Sequence, residues 1–339
     1  MTSDSDQVLS QEDVDHFLQH GWVKLTNCFT KADSDRICSS VWTRLGMSPD
    51  DKTTWHTERI NMPSHSTYSA AEFAPKAWTA ICELLGGEER IAGFNRTWND
   101  GLIVNLGTPE GEGKKVEGYD LKGWHVDGDF FVHFLDSPEQ GLLVIPLFTE
   151  IKKDGGGTMI CPDAIPFIAK HLHDHPEGVS PRMTPRAQNP TMSPEPDLRF
   201  YNQLASTFPA SSFVEATGNV GDVYLLHPLM LHSASNNMLR IPRIITNPPV
   251  SLNAPFNFDR ADESEYSVVE RKTLKALGKD RLDGWKIQGT RDSVVPERLR
   301  KQNAMKEEEL RRLEEIRKKA AVSVTEIEFS KPGVMESFT

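Results

Sequence analysis

A mainly β fold with flanking helices is predicted for this chain, its core a double-stranded β-helix, a jelly-roll variant, over residues 94–250. Short runs with strand character recur there, at residues 94–106, 141–148, 159–161, 212–216, 223–226 and 241–246. Gly, Pro, Asn and Asp separate them, the punctuation that turns require. Many short strands with such punctuation argue for a sandwich or barrel over alternating βαβ units. At 339 residues and 37% hydrophobic content, the chain is long and apolar enough to bury a sizeable core.

The formal net charge is -11. A nucleic-acid or anionic-membrane partner calls for a basic face that offsets phosphate charge, and here basic residues cluster only near the C-terminus, interleaved with glutamates. Neither partner is expected. Cys28, Cys38, Cys82 and Cys161 form no CxxC and no zinc spacing, and read as reduced, partly buried thiols. The opening MTSDSDQ lacks the basic-then-apolar character of a signal peptide, and Ser337-Phe338-Thr339 matches no peroxisomal address. No apolar run reaches the ~18 residues that a membrane span needs. A cytoplasmic location is therefore expected.

In chain order, Ser10 is a predicted N-cap, Gln11, Glu12 and Asp13 suit the positive end of a helix, and Val14, Phe17 and Leu18 form its apolar stripe. Gly21 closes that helix, and Trp22-Val23-Lys24-Leu25 reads as a strand. A second helix is expected from residues 31–33 onward, with Ile37, Val41 and Leu45 on one face. Residues 46–75 are rich in Pro, Ser, Thr and His without a sustained period, and read as a loop that leaves His56 and His65 solvated or packed. Trp78, Ile81, Leu84 and Leu85 mark a short helix that stops at Gly86-Gly87.

Residues 176–196 carry six prolines and few apolar side chains, which suits a mobile cover over the barrel mouth. His171, His173 and His175 alternate just before it; with only Asp174 as an acidic neighbour they read as a loop or helix end. Beyond residue 258 the chain becomes highly charged. Residues 296–322 combine strong helix formers and i, i+4 ion-pair options with a thin apolar stripe of Leu299, Met305, Leu310, Leu313 and Ile316. The expected division is one domain over residues 1–260 and a charged helical extension over 261–339, packing on that domain or on a second copy of the chain.

Two stretches carry the candidate chemistry: GWHVDGD, with His125 and Asp127, and GDVYLLHPLMLHSASNN, with His227 and His232. Residues i and i+2 of an extended strand point to the same side, so the His125 ring and the Asp127 carboxylate can face one ion. Two imidazoles and one carboxylate suit a mononuclear Fe(II) site with open positions. The triplet alone is unspecific, and the third ligand must come from elsewhere. His227 stands directly before Pro228 and reads as structural, whereas His232 can project from a strand start into a barrel mouth.

The ordered set GWHVDGD, GLLVIPLF, DGGGTMICPDA and GDVYLLHPLMLHSASNNMLRIPR resembles the phytanoyl-CoA dioxygenase-like family of Fe(II)/2-oxoglutarate-dependent oxygenases. EDVDHFLQHGWVKLTNCFTKADSDRI resembles that family's first helix and strand, so the similarity spans residues 8–250. The resemblance implies that His125, Asp127 and His232 bind Fe(II). It implies that Arg243, eleven residues after His232, pairs with the distal carboxylate of 2-oxoglutarate through a two-pronged contact, and that Thr158 donates a hydrogen bond to the same carboxylate. The implied reaction is oxidation by dioxygen, hydroxylation first of all, of an unactivated C–H bond, with release of succinate and CO2. Ala234 departs from a serine common in the family, and Lys122 from a polar group that contacts the cosubstrate in some members. Asp127 argues against halogenation, because halogenating relatives lack that carboxylate.

Trp98, Phe130, Phe131, His133 and Phe134 lie near the candidate ligands in sequence and are expected to line an apolar pocket. An acidic chain without an evident phosphate clamp disfavours a CoA thioester, so the expected substrate is a small hydrophobic metabolite of the kind met in secondary metabolism. Two other readings stay open: a jelly-roll that binds without catalysis, and a cupin-like iron enzyme that does not use 2-oxoglutarate.

Overall fold

A computed structural model describes residues 7–329 except 194, 196 and 297, with side chains of the last helix as far as 319. Its strands are β1 (Trp22–Leu25), β2 (Arg59–Asn61), β3 (Thr67–Ser69), β4 (Thr97–Asn99), β5 (Ile103–Asn105), β6 (Leu142–Pro146), β7 (Thr158–Cys161), β8 (Val214–Ala216), β9 (Val223–Leu226), β10 (Leu231–Ala234), β11 (Arg243–Ile245) and β12 (Pro249–Val250). Its helices are α1 (Gln11–His20), α2 (Lys31–Cys38), α3 (Val41–Leu45), α4 (Ala70–Phe73), α5 (Pro75–Leu85), α6 (Ile165–Asp174), α7 (Arg199–Ala205), α8 (Val268–Leu277) and α9 (Arg298–Phe329).

All strand pairings are antiparallel. They give a sheet in the order β1-β9-β6-β12, a second in the order β11-β5-β2, a third in the order β10-β7-β8, and the ribbon β3-β4. A bridge between Leu147 and Ile245 links the first two sheets, and a bridge between His125 and His232 adds the GWHVDGD segment beside β10. Every residue of β6 is buried. Burying each such Leu, Val or Ile side chain contributes about 1.5–3 kcal/mol, which fixes β6 as a central strand. Ile103, Leu143, Ile145 and Ile245 from the linked sheets and Thr158, His232 and Ala234 from the third face one cavity of about 830 Å³. Strand alternation thus lets the same strands build the core on one side and a chemical site on the other.

The N-terminal elements form for local reasons. Ser10 accepts from the Asp13 amide while the Asp13 carboxylate accepts from the Ser10 amide, a reciprocal cap that starts α1. Gly21 closes it at φ 73°, where a side chain would be strained. The expected second helix breaks in two. Ser39 donates its hydroxyl to the Arg36 carbonyl at 2.8 Å, competing with the helical ladder, and the chain restarts as α3 with Val41 and Leu45 buried. Residues 46–75 are less irregular than expected, since they include β2, β3 and α4; three-residue strands are too short to show a period.

The charged C-terminal region packs on the same core. A reciprocal cap between Ser267 and Glu270 starts α8, whose Val269 and Leu274 are buried, and which lies against α1, α5 and α6. α9 docks on α3 through a buried cluster: Glu309 accepts from Arg44 Nε at 2.9 Å and faces His65 Nε2 at 2.7 Å, while Arg44 also reaches Asp100 at 3.2 Å. His65, expected in a featureless loop, is therefore part of a specific junction. No described helix is long and apolar enough to cross a membrane.

Candidate active site

β10 sets His232 opposite Ile160 of β7, and reciprocal backbone hydrogen bonds of 2.9 Å set His125 opposite His232. The two imidazole centroids lie 4.3 Å apart. Each ring is oriented by its own backbone: Nδ1 of His125 meets the Gly123 carbonyl at 2.8 Å, and Nδ1 of His232 meets the Met230 carbonyl at 3.0 Å. A carbonyl only accepts, so both Nδ1 atoms carry hydrogen and both Nε2 lone pairs are left free. Those Nε2 atoms each lie 3.5 Å from the same Asp127 oxygen, Oδ1. Asn247 Nδ2 donates to the other carboxylate oxygen at 3.3 Å. Among the described residues, His125, Asp127 and His232 are the group of three metal-capable side chains that converges, with ligand atoms within 4.8 Å of one another.

The electrostatics match. Burial alone would raise the Asp127 carboxyl, yet positive charge at the two Nε2 positions, from protons or from a shared cation, holds it well below the ordinary carboxylate range. Burial lowers His125, but a proton on its Nε2, hydrogen-bonded to Asp127, would raise it; a cation held by the three groups would take that proton's place. The turn after Asp127 depends on Gly128, at φ 121°: a Cβ there would stand 2.5 Å from the Phe131 ring. His133 braces that turn, donating from Nε2 to the Gly128 carbonyl at 2.7 Å and stacking on Phe131 at 4.4 Å.

Arg243 lies on β11 in register with Asn105 of β5, which in turn pairs with Arg59 of β2, and all three line the cavity. Arg243 is 2% exposed and spends Nε on the Gly156 carbonyl at 2.7 Å. Its Nη1 is buried without a partner. Burial first, then the nearby Arg59 charge, lower its pKa to about 10. An unpaired buried guanidinium nitrogen is costly, and a carboxylate ligand would satisfy it. Thr158 lines the same cavity, buried and opposite Ala234.

No family model and no curated protein matches the chain. Among solved structures, HygX from Streptomyces hygroscopicus, with nickel and 2-oxoglutarate bound, is similar at TM-score 0.38 and 10% identity, over 72% of this chain and 88% of that one. SnoK, a non-heme alpha ketoglutarate dependent carbocyclase from nogalamycin biosynthesis, gives TM-score 0.39 and 15% identity, over 72% and 84%. The apoform of EctD from S. alaskensis gives TM-score 0.37 and 18% identity, over 74% and 78%. Likenesses of this degree leave the assignment to the geometry of the site.

The remaining sequence candidates fall elsewhere. His227 is fully buried, donates from Nε2 to Thr273 Oγ1 at 2.9 Å and accepts the Leu229 amide at Nδ1 at 3.1 Å, so it ties β9 to α8. His171 is spent on the Met183 carbonyl. Of the five residues expected to line the pocket, only Phe130 does; Trp98, Phe131, His133 and Phe134 are buried and do not line it. The cavity also takes in residues to which the sequence offered no pointer: Asn105, Arg182, and Arg298 and Lys306 from the first turns of α9.

Proposed function

We propose that this chain is an Fe(II)/2-oxoglutarate-dependent oxygenase of the phytanoyl-CoA dioxygenase-like kind, built on a double-stranded β-helix, with residues 1–260 as the oxygenase unit and 261–339 as an extension whose described part packs on it. The observation that carries the reading is the pair of free Nε2 atoms converging on one Asp127 oxygen in a cavity that also presents the unpartnered Nη1 of Arg243. Two imidazoles and one carboxylate are the donor set that suits Fe(II) with positions left open. Two facing antiparallel sheets around that cavity support the β-helix reading.

In this reading Nε2 of His125, Nε2 of His232 and a carboxylate oxygen of Asp127 hold the metal. The Gly123 and Met230 carbonyls keep both rings in the tautomer that can bind it. Arg243 receives the distal carboxylate of 2-oxoglutarate at Nη1, with Thr158 beside it as a hydroxyl donor. The bound pair supplies the oxidising chemistry, hydroxylation of an unactivated C–H bond of a small molecule with loss of succinate and CO2. Asp127 and the two rings stay in place as ligands, and the apolar walls from Ile103, Leu143, Ile145 and Ile245 hold the substrate body and limit water.

Succinate measured by proton NMR tests the proposal. Succinate should form in step with 2-oxoglutarate loss, require Fe(II) and dioxygen, and vanish in Asp127→Ala. Folded, iron-loaded protein that consumes no 2-oxoglutarate would favour a cupin-like iron enzyme or a binding barrel.

A further inference from the structure

The chain is acidic overall, yet its cavity is not. The charged side chains that line it are the cations Arg59, Arg182, Arg243, Arg298 and Lys306 and the acids Asp127 and Asp129. Arg298 cancels Asp129 through two contacts, one of 2.8 Å from Nη2 to Oδ1. Arg59 is 46% exposed and has Glu58 at 3.5 Å. In the oxygenase reading, on which this inference rests, Asp127, Fe(II), dianionic 2-oxoglutarate and Arg243 together have no formal charge.

Arg182 and Lys306 remain. Neither has an ion-pair partner among the described residues, and both are partly buried. The Arg182 side chain is held at Nε by the Glu195 carbonyl at 3.4 Å, which leaves its terminal nitrogens available. It lines the same cavity as His125, Asp127 and His232. Lys306 comes from the opposite end of the chain, on α9, and the buried Arg44, Glu309 and His65 junction one turn further along fixes that helix in place. Two uncompensated cations in a walled cavity focus positive potential there and raise the local concentration of anions.

We infer that the substrate carries an anionic group, a carboxylate or a phosphate, which Arg182 and Lys306 bind in this cavity. The apolar walls then take the rest of the molecule, so the substrate class is an amphiphilic acid in place of the uncharged hydrophobic metabolite expected from the sequence. α9 becomes a substrate-binding element as well as a surface helix.

Anaerobic calorimetry on the full chain loaded with Fe(II) and saturating 2-oxoglutarate tests this, with acetate and methyl phosphate as probes at ionic strength fixed by chloride. Saturable binding of at least one probe is expected, and the tighter of the two identifies the anion class. Arg182→Gln and Lys306→Gln should each weaken it about tenfold, the loss of a charge-assisted contact, and Arg182→Lys should restore part of it. All variants should bind 2-oxoglutarate as the unmodified protein does. No saturable probe binding, or binding unchanged in the double variant, would overturn the inference and leave the oxygenase reading standing. Absence of 2-oxoglutarate binding in the unmodified protein would remove both.

Discussion

His125 and His232 hold each other's backbone, with an amide-to-carbonyl hydrogen bond of 2.9 Å in each direction. Segments far apart in the chain are thereby set in register by an isolated β-bridge, and the ring atoms that face Asp127 inherit that register. Replacing either imidazole should remove a ligand without disturbing the bridge, because the bridge is made by main chain. His125→Ala and His232→Ala are expected to lose iron on dialysis, measured by elemental analysis, while keeping native circular dichroism. His227→Ala should keep iron and instead lose stability, by about 1–3 kcal/mol for its buried hydrogen bonds, read from denaturant unfolding.

If Arg243 receives the cosubstrate carboxylate as proposed, its variants separate metal binding from cosubstrate binding. Arg243→Gln should retain iron and bind 2-oxoglutarate about 10–100-fold more weakly, the range for losing charge-assisted hydrogen bonds in a buried site. Arg243→Lys should recover little, since an ammonium cannot both hold the Gly156 carbonyl and present a second planar donor. Equilibrium binding by calorimetry under anaerobic conditions checks both.

Much of this was readable in the sequence for reasons that are local. Ser10 and Gly21 bound α1 through capping chemistry that the residue types dictate, and His125 and Asp127 do converge as their i, i+2 spacing suggested, though from an isolated bridge followed by a bend rather than from the expected strand. The cavity's other walls were not readable, because they arise from contacts between distant segments. Nothing in Arg298 or Lys306 distinguishes them from the other charges of a solvated helix, and only the docking of α9 brings them to the site. His65 was set aside for the same reason: its partner is Glu309. Phe131 and Phe134 sit close to Asp127 in sequence, yet they turn into the core, and proximity along the chain misassigned them.

Glu309 is the test of how α9 is held. Its side chain is 2% exposed and faces an almost fully buried Arg44, so Glu309→Ala strands a buried cation and should cost on the order of 3 kcal/mol. Glu309→Gln keeps a hydrogen-bond acceptor for Arg44 and should cost less. Limited proteolysis should cut within residues 298–319 faster in Glu309→Ala, with the remainder of the chain unaffected.

Acid should destabilise the protein through two buried neutral histidines. Burial, then the Lys272 charge, lower His227 to about 3, and burial lowers His133 to about 4. An unfolded chain takes up protons at these side chains near pH 6.5 while the folded one does not, so proton uptake favours unfolding. Stability from these groups is therefore complete above pH 6.5 and is lost as pH falls from there toward 4. His227→Gln should flatten that dependence in denaturant titrations at pH 7, 6, 5 and 4; an unchanged slope would mean that His227 is already charged in the folded protein.

The most direct test of the central claim is anaerobic visible spectroscopy of the full chain with Fe(II) and 2-oxoglutarate. A weak charge-transfer band should grow to saturation at one equivalent of iron, persist in His227→Ala, and be absent from Asp127→Ala. Folded protein that binds iron through His125 and His232 yet gives no band at saturating 2-oxoglutarate would contradict the account.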